Sequence, residues 1–349
     1  METLWFSALT FVLAMYIVLD GYDLGVAILF PVVAIDESER RMVRATIGPV
    51  WTGNEVWLIA GSGLLFLSFP KAYAAGFSGF YLGFIMVLWL LMGRGLAFEL
   101  RGHVEHPLWR RFWDTIFFVT SLSLAFLLGL FAGNVIRGVP LDADGYFFLP
   151  LWTDLRPGLN PGILDWFTLL AGLTMVVLLT LHGASYLAMK TIGRLQARSR
   201  ALASWALLPA VLLVLVFVVA IPFVRATFTV NFHTHPAGYL WVVLGLLAFV
   251  SLALSHTRQR QMAAFASSSV LLAAFIAVIA WGTYPNLLVA TTEPANSVTI
   301  HNASPGKEGL QAALWWLPFG LLVVLLYQIH IHRMFAAPVT PDSSSVSDH

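Results

Sequence analysis

Apolar residues in this chain run in long, nearly uninterrupted stretches separated by short polar segments. A helix needs roughly 20 mostly apolar residues to cross the hydrocarbon of a bilayer. Nine stretches qualify: 4–33, 50–69, 72–98, 113–136, 163–189, 202–224, 237–255, 262–283 and 310–334. The second is the least apolar, because Thr52, Asn54 and Glu55 sit near its start. The pattern predicts an all-α, polytopic integral membrane protein of about nine transmembrane helices, read as two four-helix bundles plus one extra helix. Residues 1–335 then form a single membrane domain, and the Pro-, Ser- and Asp-bearing tail, 336–349, is expected to be a disordered cytoplasmic extension.

Loop charge tests this division independently. With the N-terminus outside, the inner loops and the C-terminal end collect thirteen basic residues: Arg40, Arg41, Arg44, Arg101, Arg110, Arg111, Lys190, Arg194, Arg198, Arg200, Arg258, Arg260 and Arg333. The outer side holds five: Lys71, Arg137, Arg156, Arg225 and Lys307. The positive-inside rule therefore predicts an N-out, C-in chain, and an odd number of spans. Two outer loops, 137–162 and 284–309, are rich in Pro, Gly, Asn and Asp, the composition of ordered turns.

Composition agrees and excludes several functions. Of 349 residues, 59% are apolar and 11% charged, against roughly 25% charged in a soluble domain, and the mean hydropathy is +0.81. A net charge of +1 gives no basic field for nucleic acid. The absence of cysteine excludes disulfides, thiolate chemistry and Cys-ligated clusters. No basic n-region or cleavage site surrounds the first stretch, which reads as a retained span.

Ionisable side chains within spans cost several kcal/mol unless paired or hydrated, so each is a functional candidate. The set is Asp20, Asp23, Glu55, Arg94, Glu99, Asp114 and His182. In the topology above, all seven fall in the cytoplasmic half. Asp20 and Asp23 share a helix face, and Gly21 and Gly25 form a G-x-x-x-G pair that lets another backbone approach closely. Carboxylates held in such a seam with trapped water can exchange protons near neutral pH. Arg94 reads as a structural counter-ion for Glu99 or Asp23. Asp114 and Glu99, near helix ends, either reach headgroup water or serve the mouth of a proton path. His182 reads either as an interhelical hydrogen bond or as a haem ligand; no second histidine at comparable depth is apparent, so no haem or metal is assigned to this chain. His233 and His235 read as solvated, and the tryptophans near span ends as interfacial anchors.

Several motifs together resemble subunit II of the cytochrome bd-type quinol oxidases. They are Leu19-Asp-Gly-Tyr-Asp-Leu-Gly25, Gly48-Pro-Val-Trp-Thr-Gly-Asn-Glu-Val-Trp-Leu58, Phe69-Pro-Lys-Ala-Tyr-Ala-Ala75, Phe77-Ser-Gly-Phe-Tyr81, Arg94-Gly-Leu-Ala-Phe-Glu-Leu-Arg101, Phe131-Ala-Gly-Asn134 with Gly138-Val-Pro140, and Gly183-Ala-Ser-Tyr186. The match runs in order through the first two hundred residues and more weakly beyond.

The resemblance implies an enzyme subunit in the bacterial cytoplasmic membrane. Its complex would oxidise quinol and reduce dioxygen to water, generating a proton gradient without pumping. The haems, two of b type and one of d type, and the quinol-oxidising loop would belong to the partner, subunit I. This chain would form a heterodimer with that partner, with room for small accessory subunits, and would support assembly and proton uptake from the cytoplasm. The proton-path candidates are then Asp20, Asp23, Thr52, Glu55, Glu99, Asp114 and His182. The family commonly has an Asp after the Trp of the second motif; here that position is Thr52, with Glu55 on the same face to take the role. The competing reading is a proton-coupled secondary transporter, which shares the intramembrane carboxylates. Transporters, however, place their sites near the midplane between paired broken helices.

Overall fold

The computed structural model describes residues 1–340. Its helices are α1 (Glu2–Val33), α2 (Glu37–Ile47), α3 (Trp51–Ser68), α4 (Pro70–Gly79), α5 (Tyr81–Leu100), α6 (Pro107–Arg137), α7 (Trp166–Lys190), α8 (Gly193–Val224), α9 (Val230–Thr234), α10 (Tyr239–Thr257), α11 (Gln261–Thr283) and α12 (Lys307–Met334). One small antiparallel pair, β1 (Asn286–Leu288) and β2 (Val298–Thr299), lies in the loop before α12.

Among the described residues, eight helices are long and apolar enough to cross a membrane: α1, α5, α6, α7, α8, α10, α11 and α12. The second predicted stretch is α3, which falls short because Thr52, Asn54 and Glu55 dilute its first turns. Its 18 residues still rise roughly 27 Å. It starts beside α2 at the arginine-rich end and leads into α4, which packs on β1 and β2 at the opposite end. The third stretch, expected as one span over 72–98, is divided. Pro70 opens α4, Phe80 leaves helical geometry at φ −93°, ψ 22°, and α5 begins at Tyr81. The break seats a ring from the long loop: a Cβ on Gly79 would lie 2.2 Å from Phe147.

Helix α1 is the centre of the molecule. It packs on α3 and α6 on one side and on α7 and α11 on the other. The first four long helices (α1, α3, α5, α6) and the next four (α7, α8, α10, α11) form two groups joined where α1 and α6 meet α7. Helix α12 stands outside both. The α1–α7 crossing is as close as backbones allow. A Cβ on Gly25 would sit 2.0 Å from the Leu179 carbonyl, and one on Gly183 would sit 2.3 Å from the Gly25 carbonyl carbon. Large side chains elsewhere face outward, including Trp89, Trp205, Phe223 and Trp315. Such surfaces suit lipid or a partner, not water.

The segment between α1 and α3 is an amphipathic helix. Asp36 caps α2 by accepting from Glu39 N at 2.9 Å, Met42, Val43 and Ile47 are buried, and the charged face makes ion pairs to three other helices. At the opposite end the two long loops bind one another. Val139 N donates to Val289 O (2.8 Å), Thr291 N to Val139 O (2.9 Å) and Thr292 Oγ1 to Leu141 O (2.6 Å). Gly138, which ends α6 at φ +102°, permits this pairing, since a Cβ there would lie 2.9 Å from Val289 O. The tail expected to be disordered from Ala336 is tied back at its start: Val339 N donates to Lys190 O at 2.8 Å, and Lys190 Nζ to Phe335 O. The remainder of that predicted tail, 341–349, lies outside the described residues.

Candidate functional site

The first motif places Asp20 and Asp23 on the buried side of α1. Opposite them, α5 is almost wholly outward-facing; only Arg94 and Ala97 are buried. Arg94 reaches α1 and grips Asp20 with two bonds, Nη2 to Oδ1 at 2.6 Å and Nη1 to Oδ2 at 3.0 Å. The Arg94 side chain is 3% exposed and that of Asp20 0%. Glu55, on the first turns of α3, brings Oε2 to 3.8 Å from Arg94 Nη2 and is about a quarter exposed, at 23%. Arg94 is thus a counter-ion, but to Asp20 and the nearby Glu55, not to Glu99 or Asp23. Its length lets it cross to α1, while Glu99 lies one turn on and is exposed.

Asp23 belongs to a second set of contacts whose directions can be worked out. Gln328 O can only accept, so His332 Nδ1 carries a proton and donates to it at 2.9 Å. His332 Nε2 then accepts from the Tyr22 hydroxyl at 2.9 Å in the neutral ring. Tyr22 in turn accepts from Asn54 Nδ2 (2.6 Å), whose other proton goes to Asp23 Oδ2 (2.9 Å). Gln328 Nε2 donates to Asn54 Oδ1 at 2.6 Å and closes the ring. Asp23 Oδ1 is buried and accepts from no protein group. A cavity of about 10 Å³ lies between Asp23, Trp51, Arg94 and Phe117, close to the lower limit for one water molecule. It separates the Asp23 network from the Asp20–Arg94 pair.

The other predicted residues lie elsewhere. Asp114 accepts from Arg101 Nε (2.5 Å) and Arg40 Nη1 (2.7 Å), and Arg101 also holds Glu37 at 2.9 and 3.0 Å. These contacts lock α2 to α5 and α6, so Asp114 is engaged in ion pairs and does not border the seam. Burial opposes the charge on Arg101, but the hydrogen bonds and charges of Glu37 and Asp114 outweigh it and raise its pKa. Thr52 is exposed, whereas Glu55 turns towards Arg94. His182 is fully buried. Its Nε2 donates to Val18 O at 2.9 Å, and its Nδ1 accepts from Ser268 Oγ at 2.7 Å. It stacks on Phe265 and ties α7 to α1 and α11. Gly25 marks the α1–α7 contact, and a Cβ on Gly21 would lie 2.9 Å from the Leu179 side chain.

Four participants, Tyr22, Asn54, Gln328 and His332, are not apparent as candidates in the sequence. Two lie inside the quoted motifs. Gln328 and His332 carry a signal of their own, polar side chains at i and i+4 on one face of an apolar span. His332 also corrects the reading that no second histidine lies within a span. His182 and His332 each engage both ring nitrogens in hydrogen bonds. No group of three or more His, Cys, Asp or Glu residues that could hold a metal occurs among the described residues.

Comparisons with known proteins agree on one family. The pattern of the family described as cytochrome bd terminal oxidase subunit II matches residues 1–335. Cytochrome bd ubiquinol oxidase subunit 2 of Bacillus subtilis (strain 168) is 33% identical over 324 residues, covering 91% of this chain and 92% of that one. Cytochrome bd-I ubiquinol oxidase subunit 2 of Escherichia coli (strain K12) is 29% identical over 372 positions, covering 99% and 97%. A solved structure of bd oxidase from Geobacillus thermodenitrificans superposes with a TM-score of 0.76 at 18% identity, covering 96% of this chain and 98% of that chain, a likeness of fold.

Proposed function

Because this chain belongs to the cytochrome bd terminal oxidase subunit II family, a multi-pass component of a quinol oxidase complex in the bacterial inner membrane, we propose that it supplies protons to dioxygen reduction in that complex as well as supporting assembly of subunit I. In this reading the arginine-rich end faces the cytoplasm, the complex oxidises quinol and reduces dioxygen to water, and the haems b and d sit in the partner. The single observation that carries the proposal is that Asp20 and Glu55 both pair with Arg94, while Arg94 and Asp23 border a space inside the bundle close to the size of one water molecule.

Water formation consumes protons, and a route for them needs exchangeable groups linked by short steps. Glu55 is the partly exposed member, so the seam meets its surroundings there. Asp23 has a free oxygen and borders the cavity. The bidentate hold of Asp20 fixes the Arg94 guanidinium between Glu55 and the cavity that Asp23 borders, and a guanidinium, which stays protonated, relays no proton itself. Asp114 belongs to the ion pairs beneath and not to the path.

The test is Glu55→Gln in the intact complex. Oxygen consumption with a reduced quinol, normalised to haem d, is expected to fall at least several-fold with haem content unchanged. Full turnover in an assembled variant would make Glu55 structural and sink the proposal.

A further inference from the structure

Basic residues are scarce at the end opposite the arginine-rich loops, and three of the five, Arg137, Arg156 and Arg225, line one cavity. Its volume is about 1060 Å³. It opens where the outer ends of α7 and α8 meet the loop after α11. Arg137 is neutralised there by Asp165 and further held by Asn134 Oδ1 at 2.6 Å. Arg225 is not. It is 9% exposed, donates from Nε to Thr227 Oγ1 at 3.2 Å and from Nη1 to Ile136 O at 3.3 Å, and is in none of the ion pairs among the described residues. Burial without a carboxylate pushes it down to about 10, which leaves it cationic at neutral pH. Arg156 lies exposed at the rim, its own N–H held by Asp154 Oδ1 at 3.1 Å, and its guanidinium is likewise in no ion pair. Glu293, the acid beside the rim residue Pro294, points into solvent.

A buried cation without a counter-charge is costly unless a ligand supplies one. Two guanidinium groups in a concave site suit an anion with several oxygens, a phosphate above all. Size and wall chemistry then select the source. The volume matches or exceeds that of sites for whole small molecules, roughly 300–1,000 Å³, far more than an inorganic phosphate fills. The walls include Trp166, Phe223 and Val230, which are apolar and strongly exposed. Phe223 continues along one face of α8 into Val219 and Val216, also exposed. Tryptophan at this level is typical of the headgroup zone.

We infer that this cavity holds the phosphate headgroup of a membrane phospholipid, with Arg225 as the inner contact, Arg156 at the rim, and the acyl chains running down the apolar face of α8. The site is independent of the proton seam at the other end of the bundle.

The experiment uses the intact complex, stripped of lipid in detergent, and reads its thermal stability as phosphatidylglycerol or inorganic phosphate is added. The expected result is saturable stabilisation by phosphatidylglycerol and none by phosphate. Arg156→Gln, on an exposed side chain, is expected to weaken the apparent affinity about tenfold, the loss of one charged contact. Arg225→Gln is expected to weaken it further, and Arg225→Lys to restore part of it. Equal stabilisation by inorganic phosphate would overturn the lipid assignment in favour of a free anion. An unaltered phosphatidylglycerol response in Arg156→Gln and in a folded Arg225→Gln would overturn the site itself.

Discussion

Arg94 on α5 holds both carboxylate oxygens of Asp20 on α1, and neither side chain is more than 3% exposed. The pair joins a helix that is almost entirely outward-facing to the most central helix of the fold. Removing one partner of a buried pair leaves the other charge uncompensated, at a cost of about 3–5 kcal/mol. Arg94→Met is therefore expected to lower the yield of assembled complex sharply and to reduce its thermal stability. Arg94→Lys keeps the charge but loses the fork, and falls between. The check is haem retained per complex during a thermal ramp. Wild-type retention in Arg94→Met would show that the pair contributes nothing to assembly.

The Gly25–Gly183 crossing sets the rotation of α1 against α7. Adding one methyl at Gly25 puts carbon 2.0 Å from the Leu179 carbonyl, so the two backbones must separate. Overpacking typically costs about 1–3 kcal/mol, and a backbone obstacle cannot rotate away as a side chain can. Gly25→Ala is expected to lie at or beyond the upper end of that range. Gly76→Ala, where nothing lies within 4 Å, provides the neutral control. Thermal unfolding of the two purified variants measures the difference.

The ring Asn54–Tyr22–His332–Gln328 attaches α12 to α1 and α3. Tyr22→Phe removes the donor to His332 and the acceptor for Asn54 together. Unmet buried polar groups cost about 1–3 kcal/mol each, so the variant is expected to loosen α12. Hydrogen exchange in 322–334 should rise while exchange in α7 stays as it was. Uniform protection across both helices would mean that lipid or partner contacts alone hold α12.

The α2 cluster carries a pH dependence. Burial pushes the Glu37 carboxyl up, but hydrogen bonds from Arg101 and the charges of Arg101, Arg110 and Arg40 prevail, and its pKa lies below the ordinary 4.5. Glu39 is lowered in the same way, burial being outweighed by Arg198 and the Ile35 N–H. A carboxyl lowered on folding stabilises fully above its unfolded pKa, and the contribution fades as pH falls through the folded value. Helix α2 should therefore be firmly docked at neutral pH and loosen only as pH falls below the ordinary 4.5 of the free carboxyls, through their lowered folded values. Exchange in 37–47, corrected for intrinsic rates, measures this between pH 6 and 3. Glu37→Gln should flatten the transition, and an unchanged profile would refute the assignment.

Sequence alone determined the spans, the contrast between the two ends and the family. Each depends on sums over local stretches: about twenty transfer free energies make a span, and counts of Arg and Lys distinguish one loop set from the other. Even the weakness of α3 as a span was legible, since Thr52, Asn54 and Glu55 dilute it. The break at Phe80 was not, because it exists to accommodate Phe147, more than sixty positions away. The candidate site was legible as a list of charges too costly to be casual, and that list contained Asp20, Asp23, Glu55 and Arg94. What only the tertiary structure decided is who meets whom. Arg94 pairs with Asp20 and not with Glu99, and α2 brings Arg40 to share Asp114 with Arg101. His182 spends its nitrogens on Val18 and Ser268, and Gln328 finds Asn54 across 274 positions. Hydropathy is nearly indifferent to the rotation of a helix about its axis, whereas a hydrogen bond fails with a turn of a few tens of degrees. That rotation is set by packing, above all by the contact between Gly25 and Gly183, which no local sum contains.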